Sequence, residues 1–238
     1  MEQFIFLDEN RGRDTNNLIT IVGDEHFHLA RVLRVKPGEK ILATDGAGTT
    51  CLCIVKKIGK SESVCEVVEE YHDMNSSLRE FCIAMAVLKP ASKLEFALEK
   101  CTELGARKFL LFDSERSGKV KLRTERLRGI ITSAVKQSLQ SRIPELAMIE
   151  SLEELSSQSS AYNQKIVLHE KATIMMSEYL SDVPRTSPAI ALVGPEGGFS
   201  EREIGFLESH GFKTLLLGKS RLRSETAAIS IAAILNSY

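Results

Sequence analysis

Two short stretches near the C-terminus hold residue types whose spacing suits chemistry. In "AIALVGPEGGFSEREI", Ala189 to Ile204, an apolar run breaks at Gly194-Pro195-Glu196-Gly197-Gly198, and a helix-start pattern, Ser200-x-x-Glu203, follows at once. Strand, glycine loop and helix in that order bring a ligand against the backbone. The second stretch, "LLLGKSRLRSETA", Leu215 to Ala227, adds two arginines and a carboxylate after another apolar run. Nucleotide-binding readings fail on spacing. A phosphate loop ending in Gly218-Lys219-Ser220 needs glycine at position 213, where Lys213 stands. "GPEGG" is not G-x-G-x-x-G, and Pro195 removes one of the amide donors a phosphate needs.

A third loop belongs with these two. "QKIVLHE", Gln164 to Glu170, also ends a short apolar run in polar residues. In an open parallel sheet, ligands bind outside the carboxyl ends of the strands, so the three loops are expected to meet at one site.

The elements that position these loops fall into two groups. Up to Tyr71 the signals are short strands, "NLITIVG", "KILATDG", "TTCLCIVKKI" and "ESVCEVVEEY", separated by glycine-containing turns. Between the first two lies "DEHFHLARVLRVKPGE", read as a short helix presenting His28, Val32 and Val35 on one face. This is a small β-barrel, residues 1–72, with a polar linker at His72 to Ser77. From residue 73 to 238 strands alternate with helices, which predicts an α/β domain with a mostly parallel sheet. "FCIAMAVL" reads as a strand buried on both faces. Capping-box patterns stand at Ser92-x-x-Glu95 and Ser151-x-x-Glu154, and Gly105 ends the apolar stripe of Leu94, Ala97, Leu98, Cys101 and Leu104. A basic helix is expected over 123–141.

Bulk properties exclude several classes. With 43% hydrophobic and 26% charged residues over 238 positions, the chain has an ordinary globular composition. No apolar run approaches the roughly 18 residues of a membrane span, and the N-terminus lacks a signal-peptide pattern, so a cytoplasmic protein away from the membrane is expected. Five cysteines, odd in number and set in apolar runs, read as buried thiols of a reducing compartment. His26 and His28 read as surface or turn residues rather than metal ligands, and no metal is expected. The net charge of −1 hides a basic segment, Arg107 to Arg142, with ten Lys or Arg against three Asp or Glu. No Trp and 6% aromatic residues argue against a stacking platform, so any RNA would be held mainly through phosphates.

"LVGPEGGFS" followed by "LLLGKSRLRSETAA" resembles the 16S ribosomal RNA uracil-N3 methyltransferase family, of the knotted, S-adenosylmethionine-dependent SPOUT superfamily. "HLARVLRVKPGE", "KLEFALEKCTELGA", "SERS" (Ser114 to Ser117) and "QSRIPEL" extend the resemblance over nearly the whole chain. Two departures fall in the basic segment: Lys136 stands where an acidic residue is common, and Gln140 where arginine is usual.

The resemblance implies a PUA-like barrel, a methyltransferase domain with a deep C-terminal trefoil knot, and a homodimer. It implies that S-adenosylmethionine is bordered by Leu168, His169 and Glu170 from the first loop and by Gly194, Pro195 and Gly197 from the second. Leu217, Gly218, Leu222, Arg223 and Thr226 would border it from the third. Methylation at uracil N3 requires a base or a site that stabilises the anion. Glu196 or Glu225 is the expected base, with Arg223 as electrostatic partner, although Glu225 would equally serve as a helix-start acid. The 16S RNA, or the small subunit carrying it, would contact Arg11, Arg13, Arg31 and Arg34 of the barrel, the two last sharing a helix face. Lys89, Lys93, Arg116, Lys119, Lys121, Arg123 and Arg142 would continue the track. Two other readings stay open: methylation of another RNA position, such as a transfer RNA or a ribose 2′-hydroxyl, and a catalytically silent RNA-binding module.

Overall fold

The computed structural model describes residues 2–5, 17–118 and 120–237. Arg11, Arg13 and Lys119 lie outside the described residues. The chain forms two compact units: Met1–Ser76 with Thr132–Ile143, and Ser77–Ile131 with Pro144–Tyr238. The first therefore takes in a segment far beyond the expected boundary at residue 72.

The first unit contains β1 (Gln3–Ile5), β2 (Leu18–Val22), a short helix α1 (Gly23–Phe27) running into a π-helical turn (His28–Val32), β3 (Lys40–Thr44), β4 (Thr49–Ile58) and β5 (Glu62–His72). The strands form one sheet in the order β1-β3-β4-β5-β2, antiparallel except for β1 against β3. The four strands expected from alternation are present, and β1 was not anticipated. Phe4, Ile21, Leu29, Ile41, Cys53, Val55 and Cys65 make its core.

The expected helix face of His28, Val32 and Val35 is used only in part: His28 meets the Phe4 ring and Val35 packs against the core, but Val32 does not. Leu29 is fully buried, whereas Val32 is 56% exposed. The wide turn rotates the later residues, and Arg34, at φ 55°, ends it with a hydrogen bond from Val35 N to Leu29 O (3.1 Å). Arg31 and Arg34 are both exposed but share no regular helix face, because Arg34 lies past the last helical turn. His26 is not a surface residue: it is buried, with Nδ1 2.8 Å from Ser63 Oγ.

Residues 132–143 are bound into this unit by charge and backbone. Lys136 Nζ lies 2.6 Å from Glu25 Oε1. Gln3 Nε2 donates to Gln140 O (2.7 Å), and Gly48 N donates to Ser141 O (3.0 Å). Arg142 donates to Asp73 Oδ1 (2.5 Å) and to Ala47 O (2.6 Å).

The second unit runs β6 (Phe81–Ala86), α2 (Ala91–Glu103), β7 (Lys108–Phe112), α3 (Thr124–Gln137, whose C-terminal part belongs to the first unit), β8 (Glu145–Ile149), α4 (Leu152–Gln158), β9 (Gln164–Leu168), α5 (Met176–Leu180), β10 (Ala189–Val193), α6 (Glu201–Ser209), β11 (Lys213–Leu215) and α7 (Ser224–Ser237). All six strands are parallel, in the order β11-β9-β10-β6-β7-β8. Every residue of β6 and β10 is buried. Their alternate side chains feed two cores: Phe81, Ile83 and Met85 against Leu94, Leu98, Ile231 and Leu235, and Cys82, Ala84 and Ala86 on the other face with Leu155, Leu207 and Phe212.

Helix starts divide between expectation and surprise. Ser151 and Ser200 cap α4 and α6, the latter with a full capping box. Ser92 does not cap α2, which starts one residue earlier behind Pro90. Glu95 instead holds Arg126 with two hydrogen bonds, of 2.5 and 2.8 Å. Gly105 ends the α2 segment at φ +87°, and α3 stops at Gln137, short of the expected Ser141.

All five cysteines are buried thiols, and burial pushes Cys65 up to about 11 and Cys82 up to about 12. Among the described residues no acid, histidine or cysteine cluster is arranged to hold a metal, and no helix is long and apolar enough to cross a membrane.

Two glycines make opposite predictions. Gly48 sits at φ +122°, and a Cβ there would lie 2.5 Å from the Arg142 guanidinium. Gly48→Ala is expected to destabilise the protein by about 1–3 kcal/mol. Gly129 lies inside α3 with open space around it, so Gly129→Ala is expected to stabilise by roughly 0.5–1 kcal/mol. Urea midpoints of the two variants against the parent check both signs.

Candidate active site

Strand order decides where the three loops go. β11, β9 and β10 are neighbours and parallel, so the loops after Leu168, Val193 and Leu215 leave the same edge side by side. They enclose a cavity of about 960 Å³, near the top of the usual range for small-molecule sites.

Ten of the eleven residues expected to border a cofactor line this cavity: Leu168, His169, Glu170, Gly194, Pro195, Gly197, Leu217, Gly218, Leu222 and Arg223. Thr226 does not; it is exposed on the first turn of α7. Of the expected catalytic residues, Glu196 and Arg223 line the cavity, while Glu225 does not. The Glu225 Oε2 atom is buried with no hydrogen-bond partner.

Sequence spacing did not reveal much of the remaining wall. Leu215, Leu216, Val193, Phe199, Ile204 and Ala227 make it largely apolar, and Glu201, Glu208, Lys171 and Ser220 add polar groups. Glu170 pairs with Arg221 at its rim (3.2 Å), where both side chains stay mostly in solvent. Lys93 and Arg116, expected on an RNA track, line the cavity as well.

The glycine loop is held from several sides. Within it, Gly198, at φ +67°, turns back to donate to Pro195 O (2.9 Å). Gly194 is tight for another reason: a Cβ there would lie 3.1 Å from the Phe199 ring, which stacks on Phe112 with centroids 6.3 Å apart. Gly218, by contrast, has nothing within 4 Å of where its Cβ would be. The Arg116 guanidinium donates to the carbonyls of Gly197 (3.0 Å) and Phe199 (3.3 Å). Arg116 is thereby committed to holding the loop.

Lys93, from α2, reaches Glu196 Oε1 at 3.0 Å, and the Lys89 amide donates to the same oxygen at 3.3 Å. Partial burial alone would raise the Glu196 pKa. The Lys93 ammonium, with hydrogen bonds from its own and the Lys89 amide, outweighs that and holds it below the ordinary carboxylate value.

The deepest anchor is Glu203. In sequence it reads only as the acid of a capping box, yet it is 4% exposed. Its Oε2 accepts from Ser200 N (2.7 Å), and its Oε1 accepts from Ser114 Oγ (2.8 Å) and Glu115 N (3.0 Å). One buried carboxylate thus ties the loop after β7 to the start of α6. The "SERS" tetrapeptide supplies both the hydroxyl that Glu203 accepts from and the arginine that grips the glycine loop.

Of the expected RNA contacts, Lys89, Lys121 and Arg123 are exposed on the second unit and Arg31 and Arg34 on the first. Arg142 is bound to Asp73 and Ala47 instead, covering Gly48.

An RNA methyltransferase domain family matches residues 75–236, and an RNA methyltransferase PUA domain family matches residues 22–68. Proteins named ribosomal RNA small subunit methyltransferase E are similar along most of their length. That of Mycobacterium bovis is 30% identical over 93% of this chain and 87% of its own, and that of Aquifex aeolicus 30% over 98% of each. The crystal structure of the Neisseria gonorrhoeae methyltransferase E bound to S-adenosyl methionine superposes with a TM-score of 0.86 at 26% identity, over 100% of this chain and 97% of that one. The chain belongs to this RNA methyltransferase family, with a PUA-like first domain and a SPOUT-type methyltransferase fold after it.

Removing the Glu203 carboxylate leaves three donors without their acceptor, the Ser114 hydroxyl among them buried. Glu203→Ala is expected to cost about 1.5–3 kcal/mol. Ser114→Ala should cost less, and the double variant less than the sum of the two. Urea unfolding of the four proteins measures the coupling.

Proposed function

We propose that this family member transfers the methyl group of S-adenosylmethionine to N3 of a uridine in the 16S RNA of the small ribosomal subunit. One observation carries the reading: the loops after β9, β10 and β11 form a single cavity lined by ten of the residues expected to border that donor. The methionine sulfonium supplies an activated methyl group, so no metal is required.

The cavity fits such a molecule by its donor set. Apolar walls from Leu168, Leu216, Leu217 and Phe199 suit an adenine ring, while backbone groups of the loops suit its edge. Glu170 offers a carboxylate to a cationic, hydroxyl-bearing ligand.

The chain's own residues then have to handle one proton and one developing charge. Uracil N3 becomes nucleophilic as its proton leaves. Glu196 is the glycine-loop carboxylate on the cavity wall, and its lowered pKa keeps it ionised through the neutral range. In this reading it accepts the N3 proton while Arg223 faces the uracil oxygens on which charge gathers. Glu225, on the first turn of α7 and with its Oε2 atom buried and unpartnered, is the alternative base. The target base must leave any stack to enter the cavity, and exposed cations such as Arg31, Arg34, Lys121 and Arg123 would hold the RNA by its phosphates.

The family resemblance adds a homodimer, a trefoil knot in the C-terminal domain and a cytoplasmic site of action. The partly exposed Phe96 and Leu222 of the second unit offer apolar surface to a second copy. A different RNA position or atom, or a silent binding module, remains the competing reading.

Mapping methyl groups on small-subunit RNA by mass spectrometry, in cells with and without this protein, tests the assignment. Loss of one N3-methyluridine is expected, and an unchanged map refutes it. With purified protein, Glu196→Gln should slow single-turnover transfer on the order of 10²-fold while leaving donor affinity by calorimetry nearly unchanged. Full turnover in both Glu196→Gln and Glu225→Gln would remove the base assignment.

A further inference from the structure

The Lys93–Glu196 pair is poorly placed for a structural tie. Both side chains line the cavity and stay partly in solvent, 27% and 38% exposed. The loop has other anchors: the Gly198–Pro195 turn, and Arg116 on the carbonyls of Gly197 and Phe199. A pair this open contributes little to stability, because water and salt screen it. What the pair does is occupy a carboxylate that faces the cavity with a lysine that faces it too.

We infer that Lys93 has two anionic partners in turn: Glu196 in the empty site, and a backbone phosphate of the RNA once the target nucleotide enters, so that substrate binding itself releases Glu196. The inference rests on the methyl-transfer reading of the cavity given above. An ammonium on a four-carbon stem is suited to such an exchange, being a point charge with three rotatable donors. A phosphate brings a full negative charge, and neutralising it releases counterions, which drives the new contact. The exposed pair is weak enough to give way. The exchange makes and breaks no covalent bond. Its result is that the carboxylate loses the partner that weakens it as a base only when an N3 proton is at hand.

The consequence has an unusual sign. Glu196→Gln, which slows methyl transfer, should tighten RNA binding, because Lys93 no longer has to leave a carboxylate. The probe is a fluorescein-labelled RNA hairpin with a uridine in its loop, titrated by anisotropy without methyl donor. Lys93→Ala is expected to weaken binding several-fold, and Glu196→Gln to tighten it about two- to fivefold. In the Lys93→Ala background the gain from Glu196→Gln should vanish, and Lys93→Arg should restore most of it. An equal gain in both backgrounds would show only that a negative charge had been removed, and it overturns the inference. So does an absent gain, or a wild-type protein that does not bind the hairpin. Because no turnover is involved, failure here leaves the proposed reaction standing. Loss of methyl transfer in the wild-type protein with this cycle intact would remove the reaction and keep the exchange.

Discussion

A parallel strand buried on both faces has nowhere to place polar groups except at its ends. β6 and β10 are apolar at every position, and β9 is buried at its centre. All the chemistry they can carry is therefore displaced into the loops. Because the strands run parallel, the loops at their carboxyl ends gather on one edge, and the order β11-β9-β10 makes three of them adjacent. The cavity is a consequence of that burial rather than a separate feature.

Loops freed from the sheet need other constraints, and here these are electrostatic. Glu203 is buried and accepts three hydrogen bonds, two of them from the segment after β7. A carboxylate in so dry a place is tolerable only while such donors stay in position. Arg116 and Lys93 act on the same loop closer to solvent, through carbonyls and through Glu196. The deep contact sets the position of the loop, and the shallow one leaves an exchangeable charge at the cavity wall.

The first unit shows how a basic segment in sequence can be misread. Arg142 and Lys136 belong to a stretch with ten positive residues against three negative, and in isolation each suits a phosphate. In the fold they pair with Asp73 and Glu25, acids far away in the chain. Gln140, standing where arginine is usual in the family, is buried and accepts a hydrogen bond from Gln3 through its carbonyl. These contacts attach residues 132–143 to the first unit.

Local pattern alone was enough for the alternation of strands and helices, the apolar strands buried on both faces, the capped starts of α4 and α6, and the three loops as one site. These features depend on periodicity and on neighbours within a few residues, which sequence displays directly. The family motifs "GPEGG" and "RSETA" marked the site in the same way. Tertiary structure decided whatever depended on a partner distant in the chain. Ser92 lost its capping role, and Glu95 turned to Arg126. The π-helical turn put Leu29 into the core of the first unit and left Val32 in solvent, and Glu225 stayed off the cavity wall while Lys93 joined it. Most of all, Glu203 became the buried link between two loops. A charge has no period, and its role is set by whichever opposite charge or donor the fold brings within about 3 Å.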